Sequence, residues 1–206
     1  MSAFFDQLWE RHPSLVSCQS DILAAFDMLA TSFSAGGQLL IAGNGGSAAD
    51  ADHIAGELLK GFVRPRLVDL PDAASLDPAL QNLQGGLPAI PLTGFPALRT
   101  AVANDTDPEL EFAQLVWGLG RPQDVVLGIT CSGNARNVLL ALQAARLKGV
   151  KTLLLTGATA GTCCTSADIS IQVPDTETFR IQELHLPIYH ALCLALEERF
   201  FPSPSE

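Results

Sequence analysis

The sequence predicts an α/β fold in which helices cover both faces of a parallel β-sheet. Short apolar runs alternate along the chain with longer segments of helical apolar spacing, as is typical of β-α-β units. The run Asp124–Thr130 (DVVLGIT) is apolar almost throughout, as expected of a strand that is buried on both faces. With 206 residues, of which 48% are hydrophobic, the chain can form one domain with a substantial core.

The first part of the chain predicts a helix, a strand and a second helix. Leu15–Phe33 has helical apolar spacing and stops near the pair Gly36-Gly37, a suitable helix end. Gln38–Ala42 is a short apolar strand that leads into Gly43. Ser47–Lys60 is rich in alanine and predicts the second helix.

An irregular segment follows, over residues 64–86, which contain three prolines and the pair Gly85-Gly86. We interpret it as an insertion within a single domain, with N-terminal helices over about 1–35 and a sheet region over about 36–200. Long segments without regular structure are often functional. Leu87–Leu92 is a candidate edge strand because it contains Pro88 and Pro91.

The second part of the chain continues the alternation. Pro108 is suited to the first turn of a helix over Asp107–Leu119. After the strand Asp124–Thr130, the pattern predicts a helix over Asn134–Lys148, strands over Lys151–Thr156 and Ile169–Val173, and a final helix over Glu177–Phe200 that Pro187 interrupts.

The composition excludes several classes of function. The formal net charge of −10 argues against duplex nucleic acid and anionic membranes as partners, since both attract lysine and arginine. No run approaches the ~18 apolar residues that span a bilayer, and the N-terminus lacks the apolar core of a signal peptide. The five cysteines form neither an even disulfide framework nor a zinc ribbon. We therefore expect a cytoplasmic protein, and the low charged fraction of 17% suggests that some surface is buried against another subunit.

Two predicted strands end in loops that suit an anion. Gly43-Asn44-Gly45-Gly46-Ser47 and Thr130-Cys131-Ser132-Gly133-Asn134 each stand between a strand and a helix. Their glycines permit close backbone approach, and a helix N-terminus favours negative charge. Either loop alone is also explained by turn chemistry. Neither nucleotide fingerprint, GxGxxG or GxxxxGK[ST], is present, so both loops together indicate a sugar phosphate.

Polar residues on two predicted helices are candidate ligands or catalysts. His53 and Glu57 stand four residues apart and share a helix face, which suits a metal site, a base with its orienter, or an ordinary exposed face. In the final helix, spacing alone favours Gln182 with His185 as a ligand face, or His185 as a core residue. Gln182 and His190 are separated by ~12 Å of helix rise, the limit of what one ion can bridge.

Four motifs in this order resemble the sugar isomerase (SIS) domain family, and within it the phosphoheptose isomerases. They are GNGGSAADADHIAGELL, Asn104-Asp105, TCSGNARNV and RIQELHLPIYH, and the resemblance runs from about residue 20 to 200. It implies a flavodoxin-like sheet of five parallel strands and a homotetramer with active sites at subunit contacts. It also implies an aldose–ketose isomerase that converts a phosphorylated sugar, sedoheptulose 7-phosphate, to D-glycero-D-manno-heptose 7-phosphate through an enediol.

The resemblance also implies a set of site residues. The zinc ligands would be His53, Glu57, Gln182 and His190, with Glu57 and His190 also the catalytic acid–base pair. Substrate contacts would come from the two loops, from one carboxylate and one amide, and from the central Asn-Asp pair: Asn44, Gly45, Gly46, Ser47, Glu57, Asn104, Asp105, Thr130, Cys131, Ser132 and Gln182.

The sequence departs from the family pattern around the phosphate loops. Ala135 replaces a common second serine, Cys131 stands where a hydroxyl residue is usual, and Lys60-Gly61 shifts a common basic residue. These changes leave the sugar's identity open. A non-catalytic relative that binds a sugar phosphate or a replication initiator protein would lack the acid–base residues, yet Glu57 and His190 are both present. A sugar-phosphate sensor would carry a DNA-binding module, for which residues 1–14 are too short.

Overall fold

Five parallel strands form one sheet in the described part of the chain, which is residues 2–71 and 75–202 of a computed structural model. The strands are β1 (Leu39–Gly43), β2 (Ala89–Pro91), β3 (Val125–Thr130), β4 (Lys151–Thr156) and β5 (Ile169–Gln172). Their order is β2-β1-β3-β4-β5, which places the proline-containing β2 at an edge. The predicted flavodoxin-like α/β fold is confirmed.

Seven α-helices lie within the described residues and cover the two faces of the sheet. They are α1 (Ala3–Arg11), α2 (Gln19–Ser34), α3 (Gly46–Leu59), α4 (Pro96–Asp105), α5 (Glu111–Leu119), α6 (Arg136–Leu147) and α7 (Thr178–Phe200). Helices α1, α2, α3 and α7 pack against one face, and α4, α5 and α6 pack against the other. Two apolar cores therefore sandwich the sheet.

Successive residues of each central strand enter opposite cores. In β1, Leu39 and Ile41 face α2, α3 and α7, while Leu40 faces α5 and α6. In β3, Leu127 joins the first core and Val126 joins the second. Side chains alternate across a strand, so an apolar run in the sequence becomes a strand that is buried on both faces.

Helix α7 corrects the prediction that Pro187 interrupts the final helix. It runs from Thr178 to Phe200 with Pro187 inside it. A proline removes one backbone donor and strains the preceding turn. Buried side chains on both sides of Pro187, including Ile181, Ile188 and Leu192, hold the two halves against the same core, and this packing outweighs the local cost.

The remaining differences concern helix ends and one helix that the apolar pattern does not predict. The predicted helix over Leu15–Phe33 begins as a 3₁₀ turn, Pro13–Cys18, that leads into α2. Helix α4 has no fully buried residue, and only partly exposed side chains such as Leu98 pack against the second core, so its apolar signal is weak. The irregular segment over 64–86 contains a 3₁₀ turn at Pro78–Asn82 and one antiparallel bridge between Leu67 and Gln84. Residues 72–74 of that segment lie outside the described residues.

The sheet topology fixes where a ligand can bind. Strands β1 and β3 are neighbours in parallel register, with Gly43 opposite Ile129, and their connections leave towards opposite faces of the sheet. Ligands of open α/β sheets bind beyond the carboxyl ends of strands at such a switch point. None of the helices in the described residues is long and apolar enough to span a bilayer.

Candidate functional site

A cavity of about 330 Å³ lies beyond the carboxyl ends of β1 and β3. It is lined by the two loops predicted to hold a phosphate and by the first turn of α7. The lining residues are Asn44, Gly46, Ser47, Ile129, Thr130, Cys131, Ser132, Ala135, Thr178 and Gln182. Strand pairing therefore brings together two loops that are more than 80 residues apart in the sequence.

The loop after β1 depends on a glycine to enter α3. Gly45 has φ +55°, a left-handed conformation that costs little only for glycine. The turn it makes lets the N–H of Ser47 donate to the carbonyl of Asn44 at 3.0 Å, and α3 starts at Gly46. The positive end of the helix dipole thus faces the cavity, where it favours an anionic group.

The loop after β3 is held by the loop after β4. Gly133 has φ +67°, and a Cβ there would collide with the carbonyl of Ala160. Gly161 lies against Gly133 in the same way, and the N–H of Cys163 donates to the carbonyl of Gly133 at 2.8 Å. This glycine contact between the two loops fixes Ser132, whose hydroxyl accepts a bond from the N–H of Asn134 at 3.2 Å.

Cys131 has an environment that keeps it uncharged. Burial raises the pKa of its thiol, and Asp50 acts in the same direction, against a bond from Ser47 that lowers it. The thiol therefore presents a weak neutral donor where the family pattern has a hydroxyl.

Two imidazoles and a carboxylate meet between α3 and α7. The Nε2 of His53 lies 3.2 Å from Oε1 of Glu57 and 3.4 Å from Nε2 of His190. His53 and Glu57 occupy successive turns of α3, as their spacing predicts, and the rings of His53 and His190 pack edge to face. Solvent reaches the cluster, since the side chain of His53 is 41% exposed and that of Glu57 17% exposed.

Tyr189 and Asp50 orient His53 through its Nδ1 atom, which points away from Glu57 and His190. The hydroxyl of Tyr189 lies 3.2 Å from Oδ1 of Asp50 and 3.1 Å from Nδ1 of His53. The three groups form a hydrogen-bonded chain when Tyr189 donates to Oδ1 of Asp50 and the Nδ1–H of His53 donates to Tyr189. That tautomer leaves the lone pair of Nε2 facing Glu57 and His190. Burial raises the pKa of Tyr189, and Asp50 raises it further, so the phenol keeps its proton.

The surroundings of His190 favour its neutral form. Burial lowers the pKa of its imidazole, and the neighbouring His53 lowers it further, while Glu57 acts in the opposite direction. A neutral imidazole can accept a proton or bind a metal ion, whereas an imidazolium can do neither.

The cluster suits a zinc ion in its chemistry. In a tetrahedral site with bonds of ~2.0–2.1 Å, two ligand atoms stand about 3.4 Å apart, close to the separations around His53 Nε2. With its lone pair towards a carboxylate and a second imidazole, Nε2 needs a cation or a proton between these groups. Within residues 2–71 and 75–202, however, no three His, Cys, Asp or Glu side chains already surround a common point, so binding requires side-chain rearrangement.

Gln182 lies with the two loops that line the cavity and not with the cluster. A Cβ on Gly46 would overlap the amide nitrogen of Gln182, so this carboxamide rests on the first residue of α3. Gly46 and His53 are separated by about 10 Å of helix rise. Because α7 is continuous through Pro187, it does not shorten the distance from Gln182 to His190. A ligand role for Gln182 therefore requires a change of rotamer or a neighbouring subunit, and it stays a prediction.

Three further candidate residues lie away from these groups. Asn104 and Asp105 end α4, where the Asn104 amide donates to the Asp105 carboxylate at 2.8 Å on the surface. They do not line the cavity at the ends of β1 and β3.

His185 is fully buried in the core, and neither of its ring nitrogens has a hydrogen-bond partner within the described residues. The interpretation of His185 as a core residue fits this position, and a ligand face with Gln182 does not.

A carboxamide pair beside the cavity has no counterpart in the sequence-based predictions. The amides of Asn44 and Asn137 bond reciprocally, at 2.9 and 3.0 Å, and Asn137 also donates to Glu111 at 3.0 Å. The pair joins the loop after β1 to α6. Tyr189 and Asp50 were likewise not predicted, although Asp50 stands three residues before His53 and so shares its helix face.

Comparison with known proteins identifies the family. The family model described as the SIS domain matches residues 3–157. The chain is 41% identical over 180 residues to the phosphoheptose isomerase of Roseiflexus sp. strain RS-1, covering 87% of this chain and 82% of that protein. The phosphoheptose isomerase of Thermodesulfovibrio yellowstonii is 38% identical over 179 residues, covering 87% and 80%. The chain belongs to the phosphoheptose isomerase branch of the SIS domain family.

Solved structures of this branch have the same fold. The phosphoheptose isomerase of Neisseria gonorrhoeae superposes with a TM-score of 0.76 at 29% identity, covering 95% of this chain and 96% of that one. That of Francisella tularensis gives 0.74 at 29% identity, covering 96% and 100%. The predicted resemblance to phosphoheptose isomerases is therefore confirmed for this SIS domain protein.

Proposed function

We propose that this protein is an aldose–ketose isomerase that converts sedoheptulose 7-phosphate to D-glycero-D-manno-heptose 7-phosphate. One observation supports the proposal: His53 and Glu57 of α3 meet His190 of α7, and α3 begins at the loop that lines the cavity beyond β1 and β3. The names of the relatives specify the same reaction class. A sugar bound along α3 would place its phosphate at the two loops and its reacting carbons at the cluster.

The reaction moves a proton between two adjacent carbons through an enediol. Glu57 removes the proton from C1 of the ketose and returns it to C2, because its carboxylate is the basic group of the cluster that can accept a proton from carbon. Neutral His190 transfers the accompanying proton between the two oxygens. Thr130, Ser132 and the helix N-terminus hold the phosphate, so binding at that end orients the reacting end.

Zinc is the cofactor that this site suits, with His53, Glu57 and His190 as ligands. Gln182 would be the fourth ligand after a change of rotamer or from a neighbouring subunit. Bound there, the ion would polarise the carbonyl and stabilise negative charge on the enediolate oxygen. His53 is prepared for this role by the Tyr189 and Asp50 contacts that direct its Nε2 towards the cluster.

We further propose a homotetramer with sites at subunit contacts, located in the cytoplasm. Large apolar side chains are exposed on this chain, among them Val63, Leu67, Leu147 and Phe179, and a partner subunit would bury them. All five cysteines are free, as suits a reducing compartment.

The proposal is tested by offering ketose phosphates of five, six and seven carbons to the zinc-loaded protein. We expect isomerisation of the seven-carbon sugar, loss of activity with a chelator and recovery with zinc. In Glu57→Gln, both turnover and deuterium uptake from D₂O at the reacting carbons fall by at least 10²-fold, the usual contribution of a general base.

The matched control is Asp52→Asn, which changes an exposed carboxylate on the same helix that accepts a long bond of 3.5 Å from Thr93. It should retain wild-type activity. Undiminished turnover in Glu57→Gln would remove Glu57 from the mechanism, and tight sugar phosphate binding without turnover by the wild type would favour a non-catalytic binder.

A further inference from the structure

A buried ion pair lies directly behind the predicted acid–base residues. Arg66, in the segment after α3, and Glu197, near the end of α7, are both 0% exposed, and Arg66 Nε donates to Glu197 Oε1 at 2.8 Å. Replacing a buried ion pair with apolar side chains of similar volume often leaves a protein as stable or more so. The contacts of this pair therefore point to a role other than stability alone.

Arg66 makes the C-terminal cap of α3. Its Nη2 donates to the carbonyl of Glu57 at 2.9 Å, and its Nη1 donates to the carbonyl of Leu58 at 2.6 Å. The last carbonyls of a helix have no partner within the helix, and a cation there interacts favourably with the helix dipole. The guanidinium thus binds the main chain of the predicted general base itself.

Glu197 reaches His190 through Phe62. Its two oxygens accept the backbone N–H groups of Phe62, Val63 and Arg64 at 2.7, 2.9 and 3.2 Å. This arrangement holds the ring of Phe62 edge-on to the His190 imidazole, with ring centroids 5.4 Å apart. Glu197 is also two helical turns beyond His190 on the same face of α7.

We infer that Arg66 and Glu197 are positioning residues, which set the separation of Glu57 and His190 by tying the end of α3 and residues 62–64 to α7. Arg66 contacts the main chain of Glu57, and Glu197 is linked to His190 through Phe62. The inference rests on the proposed function for the roles of Glu57 and His190.

A neighbouring ion pair on the same two segments provides a matched control. Arg64 Nη2 lies 3.3 Å from Glu198 Oε1, and these side chains are 20% and 34% exposed. The pairs Arg66–Glu197 and Arg64–Glu198 thus differ in burial and in their link to the site. The test variants are Arg66→Lys and Glu197→Gln, and the controls are Arg64→Lys and Glu198→Gln.

The test measures kcat, KM and the melting temperature, together with zinc affinity in competition with a chromophoric chelator. We expect kcat to fall at least tenfold in Arg66→Lys and Glu197→Gln at a temperature where both are folded. KM should stay within threefold, because the phosphate loops belong to β1 and β3, and zinc should bind at least tenfold more weakly. The controls should stay within twofold in every measurement.

Phe62→Leu keeps the test decisive if both buried variants fail to fold, since it leaves the ion pair intact and removes the ring from His190. We expect its kcat to fall at least threefold at a temperature where the variant is folded. Wild-type kcat and zinc affinity in Phe62→Leu, or in either folded pair variant, would overturn the inference. Absence of turnover in the wild type would instead reject the proposed function, and the zinc titration would still decide the positioning role.

Discussion

His185 is a titratable residue whose position in the core has a measurable cost in acid. Burial lowers the pKa of its imidazole to about 4. His185 is therefore neutral in the folded protein at neutral pH. Because the unfolded chain takes up this proton near pH 6.5, the stability that depends on neutral His185 is complete above that pH and is lost as pH falls towards 4.

Replacing His185 with leucine should make the protein more resistant to acid. Between pH 7.5 and 5.0 the wild type should lose about 2 kcal/mol of unfolding free energy through this residue, and His185→Leu should lose that much less. Urea unfolding at the two pH values measures the difference. Equal losses in both proteins would mean that His185 does not titrate on unfolding.

Gly46 leaves room for the carboxamide of Gln182. A Cβ there would overlap the end of this flexible side chain, so Gly46→Ala should displace Gln182 with little effect on stability. We expect KM for the sugar phosphate to rise several-fold, as for the loss of one hydrogen bond worth about 1 kcal/mol. Gly56→Ala is the control, because a Cβ at Gly56 meets nothing within 4 Å and the same helix should be stabilised by about 0.5–1 kcal/mol. An unchanged KM in Gly46→Ala would show that Gln182 does not need this position.

Between elements, the Asn44–Asn137 pair connects the loop after β1 to α6. Asn137 is fixed in turn by Glu111 of α5, so three elements determine the orientation of one predicted substrate contact. A network of this kind selects one rotamer of Asn44 before the substrate arrives.

Removing one member of this pair should weaken substrate binding. Asn137→Ala leaves Asn44 without its reciprocal bonds, and we expect sugar phosphate affinity, measured by titration calorimetry, to fall roughly 3- to 10-fold at about 1 kcal/mol for the lost bonds. Asn82→Ala, in the exposed 3₁₀ turn, is the control. Unchanged affinity in Asn137→Ala would show that Asn44 is oriented by other groups.

The elements also show what the sequence reveals and what it hides. The apolar run in β3 and the strand–helix alternation are enough to predict the sheet and the position of both loops. Helix α4 is hidden because it buries no residue fully, and the continuity of α7 through Pro187 depends on tertiary packing. The resemblance implies that His53, Glu57 and His190 form one site, whereas helix spacing alone favours His185 as the partner of Gln182. The contacts of Tyr189 and Arg66 require α3 and α7 to be docked, which no local pattern specifies.

For the whole molecule, the exposed apolar side chains bear on assembly. Light scattering coupled to gel filtration should give about 87 kDa, four times the 21.8 kDa of one chain. Leu147→Lys and Phe179→Lys each place a charge at an exposed apolar position and should lower this mass if that position lies in a contact between subunits. A mass of one chain with full activity would reject sites shared between subunits.

The glycine contact between the loops after β3 and β4 has a consequence for redesign. Gly133 and Gly161 touch through bare backbone, so this contact between the two loops leaves no space for a side chain at either position. Under the proposed function, attempts to broaden the range of sugars should leave this contact unchanged and vary residues near the other end of the bound sugar. With this contact fixed, variants could accept longer or shorter substrates while the proposed site for the anionic group stays the same.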